Sequence, residues 1–458
     1  MGLRAPDGTD LDIFYAQNPC LNSPCEDSDE TDWWRFSPYN WEETKYYIIK
    51  MFALPLGASI VYFLIFILSL YNNPVIHITN SILVFIGGLF LNSYRRERRR
   101  AREYEITVAD GLIDVPIPYD VTQEASLFKF NLNPLSPTAP KFTIGFVGDI
   151  MMVNKHELDF DPILPFFDDV DLIVGNLEGI VRNHRNTLGK QAHQLTIFDK
   201  LKPLLRTNRQ LLLCLSNNHS SDYGNREFAA SLKEIREQRN IHVFGRYDTP
   251  NVFTNNFPIN IATATQWSNQ KNWECISEYT NANIANGFSA LRKSNHVNIF
   301  FPHWSYENER YTRNDIQDQA DTLLTGNANR WDLIFGQHSH TRQPIKRVTD
   351  PQSGLKKLVV FSGGNFTSGA VIIREQKHIY GIIMKCRIGL LQGSQTQYAI
   401  GDVEWRKTYN DRHITEGTKT ISIDRKPYRI NNKYLLIIGI VLIGLIITLK
   451  VLEFFGII

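Results

Sequence analysis

Short apolar runs, each closed by a cluster of polar residues, recur between residues 142 and 361. They are Phe142–Val147, Asp171–Val174, Leu211–Leu215, Ile241–Phe244, Ile259–Ala264, Val297–Phe301, Leu333–Phe335 and Leu358–Phe361. Short and apolar on successive positions, they read as strands buried on both faces, as in the parallel part of an α/β sheet. Between two of them, Asn225–Gln238 sets Phe228, Leu232 and Ile235 at helical spacing,. The alternation predicts one α/β domain of layered αββα order.

A different pattern governs both ends of the chain. Met51–Tyr71 is uncharged and long enough to cross a hydrocarbon core of about 30 Å. Asn72-Asn73-Pro74 interrupts it, and Val75–Leu91 is a second, shorter apolar stretch. Tyr434–Leu449 is a third candidate span,. Arg95–Arg102 follows the first pair, and Arg425, Lys426, Arg429 and Lys433 precede the last. Both basic clusters assign the region between them to the cytoplasm by the positive-inside rule. The chain is thus expected to be an integral protein of the cell membrane, with the lipid bilayer as its first partner. The expected organisation is an acidic irregular segment over 1–45 and a transmembrane hairpin over 46–94. A basic juxtamembrane stretch and Pro-rich linker fill 95–140, the catalytic-type domain 141–424, and a basic segment with an anchor helix 425–458.

Composition narrows the function classes. A formal net charge of +2 over 458 residues carries no overall nucleic-acid signature,, and the one strongly basic run is explained by its place beside a span. Five scattered cysteines do not make a disulfide framework,. The C-x4-C spacing of Cys20 and Cys25 is not that of a zinc ribbon,.

The chemistry lies where the runs end. Phe142–Val147 leads into Asp149, Asp171–Val174 into Glu178, and Leu211–Leu215 into Asn217-Asn218-His219 with Asp222 beyond. Val297–Phe301 leads into His303, and Leu333–Phe335 into His338 and His340. Ligand sites of α/β sheets gather outside such carboxyl ends. Each residue has a plainer reading: a helix cap for Asp149, a solvated loop for Glu178, an aromatic contact for His303 beside Trp304, a turn for the Asn-Asn-His stretch. Five occurrences in one context outweigh those readings taken singly. Alternation along an extended segment would send the His338 and His340 rings to one side. Oxygen and nitrogen donors without thiolate suit Mn, Fe or Zn, one or two ions able to activate water for attack on phosphorus.

The stretches FVGDIMM, VGNLEGI, LSNNHSSDYG, PHWSYE, GQHSHTRQP and FSGGNF resemble the ordered motifs of the CapA-like capsule-synthesis proteins. That family is named for poly-γ-glutamate capsule biosynthesis and is similar in fold to the calcineurin-like metallophosphatases. The resemblance spans about residues 142–370 and implies an αββα metallophosphatase-like sandwich. It implies Asp149 and His340 as ligands of a first metal, Glu178 as the bridging carboxylate, and Asn218, His303 and His338 as ligands of a second. His219 would be the proton donor to the leaving group, with Asp222 orienting it or capping the next helix. The chain departs from metallophosphatases in carrying Met151 where an imidazole ligand is usual and a Glu where the bridging Asp is usual. Gln337 and Ser305 stand where the family usually has His and Gly, and Asn308 where an aromatic is usual.

Three functions follow as expectations: a membrane-anchored metallophosphatase-like hydrolase of capsule or envelope polymer synthesis, a non-catalytic subunit of a membrane polymer-synthesis or export complex, and a metal-independent acid–base enzyme acting on a peptide through His219, His303 and Asp222. Nucleic acid is not an expected partner.

Overall fold

A computed structural model of the chain describes residues 127–424, apart from 154, 183–189, 255–256, 270–275, 278–287, 327–330, 369–379 and 416–417, together with short strands earlier in the chain. The three expected spans, both basic clusters, Cys20, Cys25 and Cys275 lie outside the described residues. Among the described residues no helix is long and apolar enough to cross a membrane.

The fold is mixed α/β, with two large sheets and few helices. In the first sheet, Ile241–Phe244, Gln210–Cys214, Leu172–Leu177 and Lys141–Ile150 run parallel in that spatial order. The sheet continues through antiparallel Tyr380–Leu390, Tyr398–Thr415 and Thr418–Asp424. In the second, Ile259–Ala262, Val297–Phe300, Leu333–Phe335 and Lys356–Val360 form the parallel centre. All eight predicted runs are strands, within a residue or three at each end. Of the long strands after residue 380, Tyr380–Leu390 carries the apolar run Ile382–Met384, which is not among the eight predicted, and the next two are set by pairing.

Alternate side chains explain how the sheets stack. Phe142, Ile144, Phe146, Leu212, Ile261, Ile299 and Phe335 meet in a core shared by both sheets. The opposite face of the first sheet buries Ile173, Leu211 and Leu213 against Phe228, Leu232 and Ile235 of the helix Gly224–Arg236. The opposite face of the second buries Phe300, Ile334 and Val359 against Ile316, Ala320 and Leu323 of the helix Asn314–Thr325. Strands buried on both faces need no polar alternation, which is why they read as continuous apolar runs.

Strands also form in segments read as linker or irregular. Phe128–Asn131, placed in the linker, pairs antiparallel with Asp402–Trp405 and extends the first sheet. The acidic segment expected to be irregular contributes Ile13–Tyr15, which pairs antiparallel with Thr254–Val252 at one edge of the second sheet. Leu112–Asp114 pairs with Ile345–Lys346 at the other edge. Both are edge positions, where an unpaired strand would otherwise expose its hydrogen-bonding groups.

Candidate metal centre

The parallel strands of both sheets deliver their carboxyl ends to one place, and every residue singled out there arrives. Asp149 sits next to the last residue of the Lys141–Ile150 strand, after a bulge between Phe146 and Asp149. Gly148 permits the approach of the loop that follows Val360: a Cβ at this position would fall 1.9 Å from the Gly364 carbonyl oxygen. That loop also brings Asn365, whose Oδ1 lies 3.1 Å from His340 Nδ1.

Asp149, Glu178 and His340 form one cluster, each offering a ligand atom within 4.8 Å of the others. His340 Nδ1 is 3.4 Å from Asp149 Oδ2, and its Nε2 is 3.5 Å from Glu178 Oε1. Glu178 is fully buried, not a solvated loop residue, and neither of its carboxylate oxygens accepts a hydrogen bond among the described residues. Burial pushes its carboxyl upward, His340 pulls it back and Asp149 pushes it up again. Burial opposes a charge on His340, but Glu178 and Asp149 outweigh it and raise its imidazole. An ionised carboxylate in such a place costs several kcal/mol unless paired and satisfied. A cation among these donors meets that need.

A second convergence lies beside the first. His303 Nε2 is 2.9 Å from Asn218 Oδ1 and 3.0 Å from His338 Nδ1. Burial holds both imidazoles well below their usual range, reinforced by the neighbouring histidines, so both rings are neutral and fit for ligation. His303 turns inward while Trp304 turns to the outer core, its Nε1 donating to the Phe361 carbonyl at 2.9 Å. The Trp267 ring stacks on His338 at 5.5 Å between centroids.

His338 and His340 reach these places by a route other than the expected one. They do not alternate along an extended strand: both have left-handed backbone, with φ of 88° and 55°. Reversing the chain at each histidine separates the rings, 6.1 Å between centroids, and aims one at each cluster. Ser305 and Asn308 are also left-handed, at φ 73° and 64°. Left-handed backbone favours glycine, which accounts for the usual glycine at the first of these.

His219 Nδ1 lies 2.6 Å from Asp222 Oδ2, and its Nε2 faces Glu178 Oε1 at 3.8 Å. Burial opposes charge on this ring, but the Asp222 carboxylate raises its pKa above the ordinary value. The helix that follows has Tyr223 at its N-cap and no side-chain cap, while the Asp222 carboxylate contacts His219. The bare turn reading of Asn217 also gives way. Its Oδ1 accepts from the amides of Gly179 and His219, and its Nδ2 donates to Asn176 Oδ1 and the Leu177 carbonyl. It ties the Glu178 loop to the His219 loop.

Other contributors were missed in the sequence. Asn176 reaches Asp149 Oδ1 at 2.8 Å and His303 Nδ1 at 3.3 Å. Asn269 bridges Asn218 and Asp222 at 3.2 Å each. His193 donates from Nε2 to the Glu178 carbonyl at 2.9 Å. Asn176 and Asn365 lie within quoted motifs, VGNLEGI and FSGGNF, and could have been found there. His193 follows no buried run and carries no such signal, whereas Asn269 stands beyond Ile259–Ala264 at the offset that His340 has from Phe335.

Two stacked sheets with carboxylates, amides and imidazoles gathered at their carboxyl ends define an α/β protein with a candidate metal centre of oxygen and nitrogen donors. Residues 143–370 match the family model of the bacterial capsule synthesis protein PGA_cap, and the chain belongs to that family, which implies a role in capsule synthesis. No curated protein matches the chain.

Proposed function

We propose that this protein is a membrane-anchored, metal-dependent hydrolase-type enzyme of capsule or cell-envelope polymer synthesis. The observation that carries the reading is the buried Glu178 carboxylate, without a hydrogen bond among the described residues, set between Asp149, His340 and His219. The donor set fits divalent Mn, Fe or Zn: Asp149, Glu178 and His340 would hold one ion, and Glu178, Asn218, His303 and His338 a second. When bound, such ions supply Lewis-acid polarisation and an activated water. The chain's own contribution is proton handling. His219, held by Asp222, presents Nε2 toward the space beside Glu178 and can pass a proton to a leaving group. Asn269 and Gln191, both bonded to Asp222, keep that carboxylate in place. The scissile bond is a phosphoester or an amide of a peptide-like polymer, and the basic flanks of the expected spans support a cytoplasmic domain with partner subunits in the bilayer.

Glu178→Gln in the full-length chain tests the reading. Mn2+ is expected to raise the melting temperature of the wild type, as any ligand of the native state does, and to have no such effect on the variant. Equal shifts in both would remove Glu178 from the centre. Hydrolysis of phosphoester and amide panels should require the metal and vanish in the variant.

The His219–Asp222 contact at 2.6 Å favours one alternative, an acid–base enzyme that works without metal. Turnover that survives exhaustive chelation would select it.

A further inference from the structure

We propose that His193 is a positioning residue for Glu178, fixing the backbone from which that carboxylate reaches the centre; the inference rests on the metal reading above. His193 is 1% exposed and lies in a short strand, Ala192–His193, paired in parallel with Ile180–Val181. A carbonyl oxygen only accepts, so the 2.9 Å contact to the Glu178 carbonyl places the proton on Nε2. Nδ1 has no hydrogen-bond partner among the described residues, and the ring borders a water-sized cavity lined also by Met152, Val153 and Thr196.

The Glu178 side chain accepts no hydrogen bond among the described residues, and its contacts to His340 Nε2 and His219 Nε2 are long, 3.5 and 3.8 Å. The main chain therefore carries much of its orientation. Glu178 N donates to the Ile150 carbonyl at 3.3 Å and Gly179 N to Asn217 Oδ1 at 3.2 Å. The bond from His193 is the shortest of the three. Directly after it the chain turns through Gly179 at φ 99°, where a Cβ would lie 2.6 Å from the Gln191 carbonyl oxygen. Gln191 N in turn donates at 2.9 Å to Asp222 Oδ2, the oxygen that also holds His219 Nδ1. One three-residue strip, Gln191 to His193, therefore sets the bridging carboxylate and the proton-handling pair in register with each other. Hydrogen bonds behind a metal ligand typically account for about 10–100-fold in metal affinity.

The test uses the full-length chain, with Mn2+ as probe, read by calorimetry and by the exchange coupling of bound Mn2+ in electron paramagnetic resonance. His193→Leu is expected to weaken Mn2+ binding about 10–100-fold and to abolish the coupling. His193→Gln, which keeps an N–H donor, is expected to restore both, a rescue that a space-filling role would not give. A folded His193→Leu chain that binds Mn2+ as the wild type does would overturn the inference and leave the metal centre standing. A wild-type chain that binds no Mn2+ would overturn the metal reading itself. Should His193→Leu not fold, His193→Met, a flexible side chain without a donor, is compared with His193→Gln: loss in Met alone supports the inference, and equal affinity overturns it.

Discussion

His303 Nε2 and His338 Nδ1 face each other at 3.0 Å, two neutral imidazoles that burial keeps from charging. Without a cation they can share only one proton along that line. With one, both lone pairs and Asn218 Oδ1 have a common target.

His338→Ala removes one donor of this set and leaves Asp149, Glu178 and His340 untouched. In a chain that binds two ions per molecule, elemental analysis after dialysis should fall to about one, by loss of an imidazole from the coordination shell. Unchanged metal content would take His338 out of the site.

Ser305 offers a test of strain. A non-glycine residue in left-handed backbone costs about 1–2 kcal/mol; glycine gives back about 0.4–1 kcal/mol of that through unfolded-chain entropy. The Ser305 hydroxyl contributes two long contacts to one side chain, donating to Gln343 Oε1 at 3.4 Å and accepting from Gln343 Nε2 at 3.3 Å. Ser305→Gly should therefore stabilise by about 0.5–1 kcal/mol, seen as a higher denaturant midpoint. A lower midpoint would show that the serine contacts outweigh the strain.

His242, in the edge strand Ile241–Phe244 and away from the centre, contributes to acid lability. Burial lowers its pKa from 6.5 to about 4. Between those values the unfolded chain takes up a proton that the folded chain refuses, so stability is full above pH 6.5 and falls as the pH drops toward 4,. His242→Gln should remove on the order of 2 kcal/mol of this loss, measured as the difference in denaturant midpoints between neutral pH and pH 4. A pH dependence identical to the wild type would contradict the assignment.

The strand Ile13–Tyr15 constrains the membrane topology proposed above. Phe14 pairs with Phe253, so the N-terminal segment and the domain share one side, and any crossings between them are even in number. Cysteines introduced at both positions sit at the Cα separation of an antiparallel pair, within reach of a disulfide. Oxidation of that variant in membranes should yield an intramolecular cross-link. Labelling of the two cysteines from opposite sides would break the pairing.

What the sequence determined by itself is local. Runs such as Leu211–Leu215 are apolar because both faces of the strand are covered, and the polar residues at their ends are polar because they converge on one buried cluster; both properties are written in consecutive residues. Asp149, Glu178, Asn218, His219, His303, His338 and His340 were legible for that reason. The tertiary structure decided the rest. The division of labour between His338 and His340 depends on the sign of φ at each, which contacts with separate strands impose and spacing does not reveal. The pairing of His303 with Asn218 joins residues 85 apart. His193 acts through a carbonyl fifteen residues away. Hydrogen bonds of this kind are made across space between loops, and no periodicity along the chain records them.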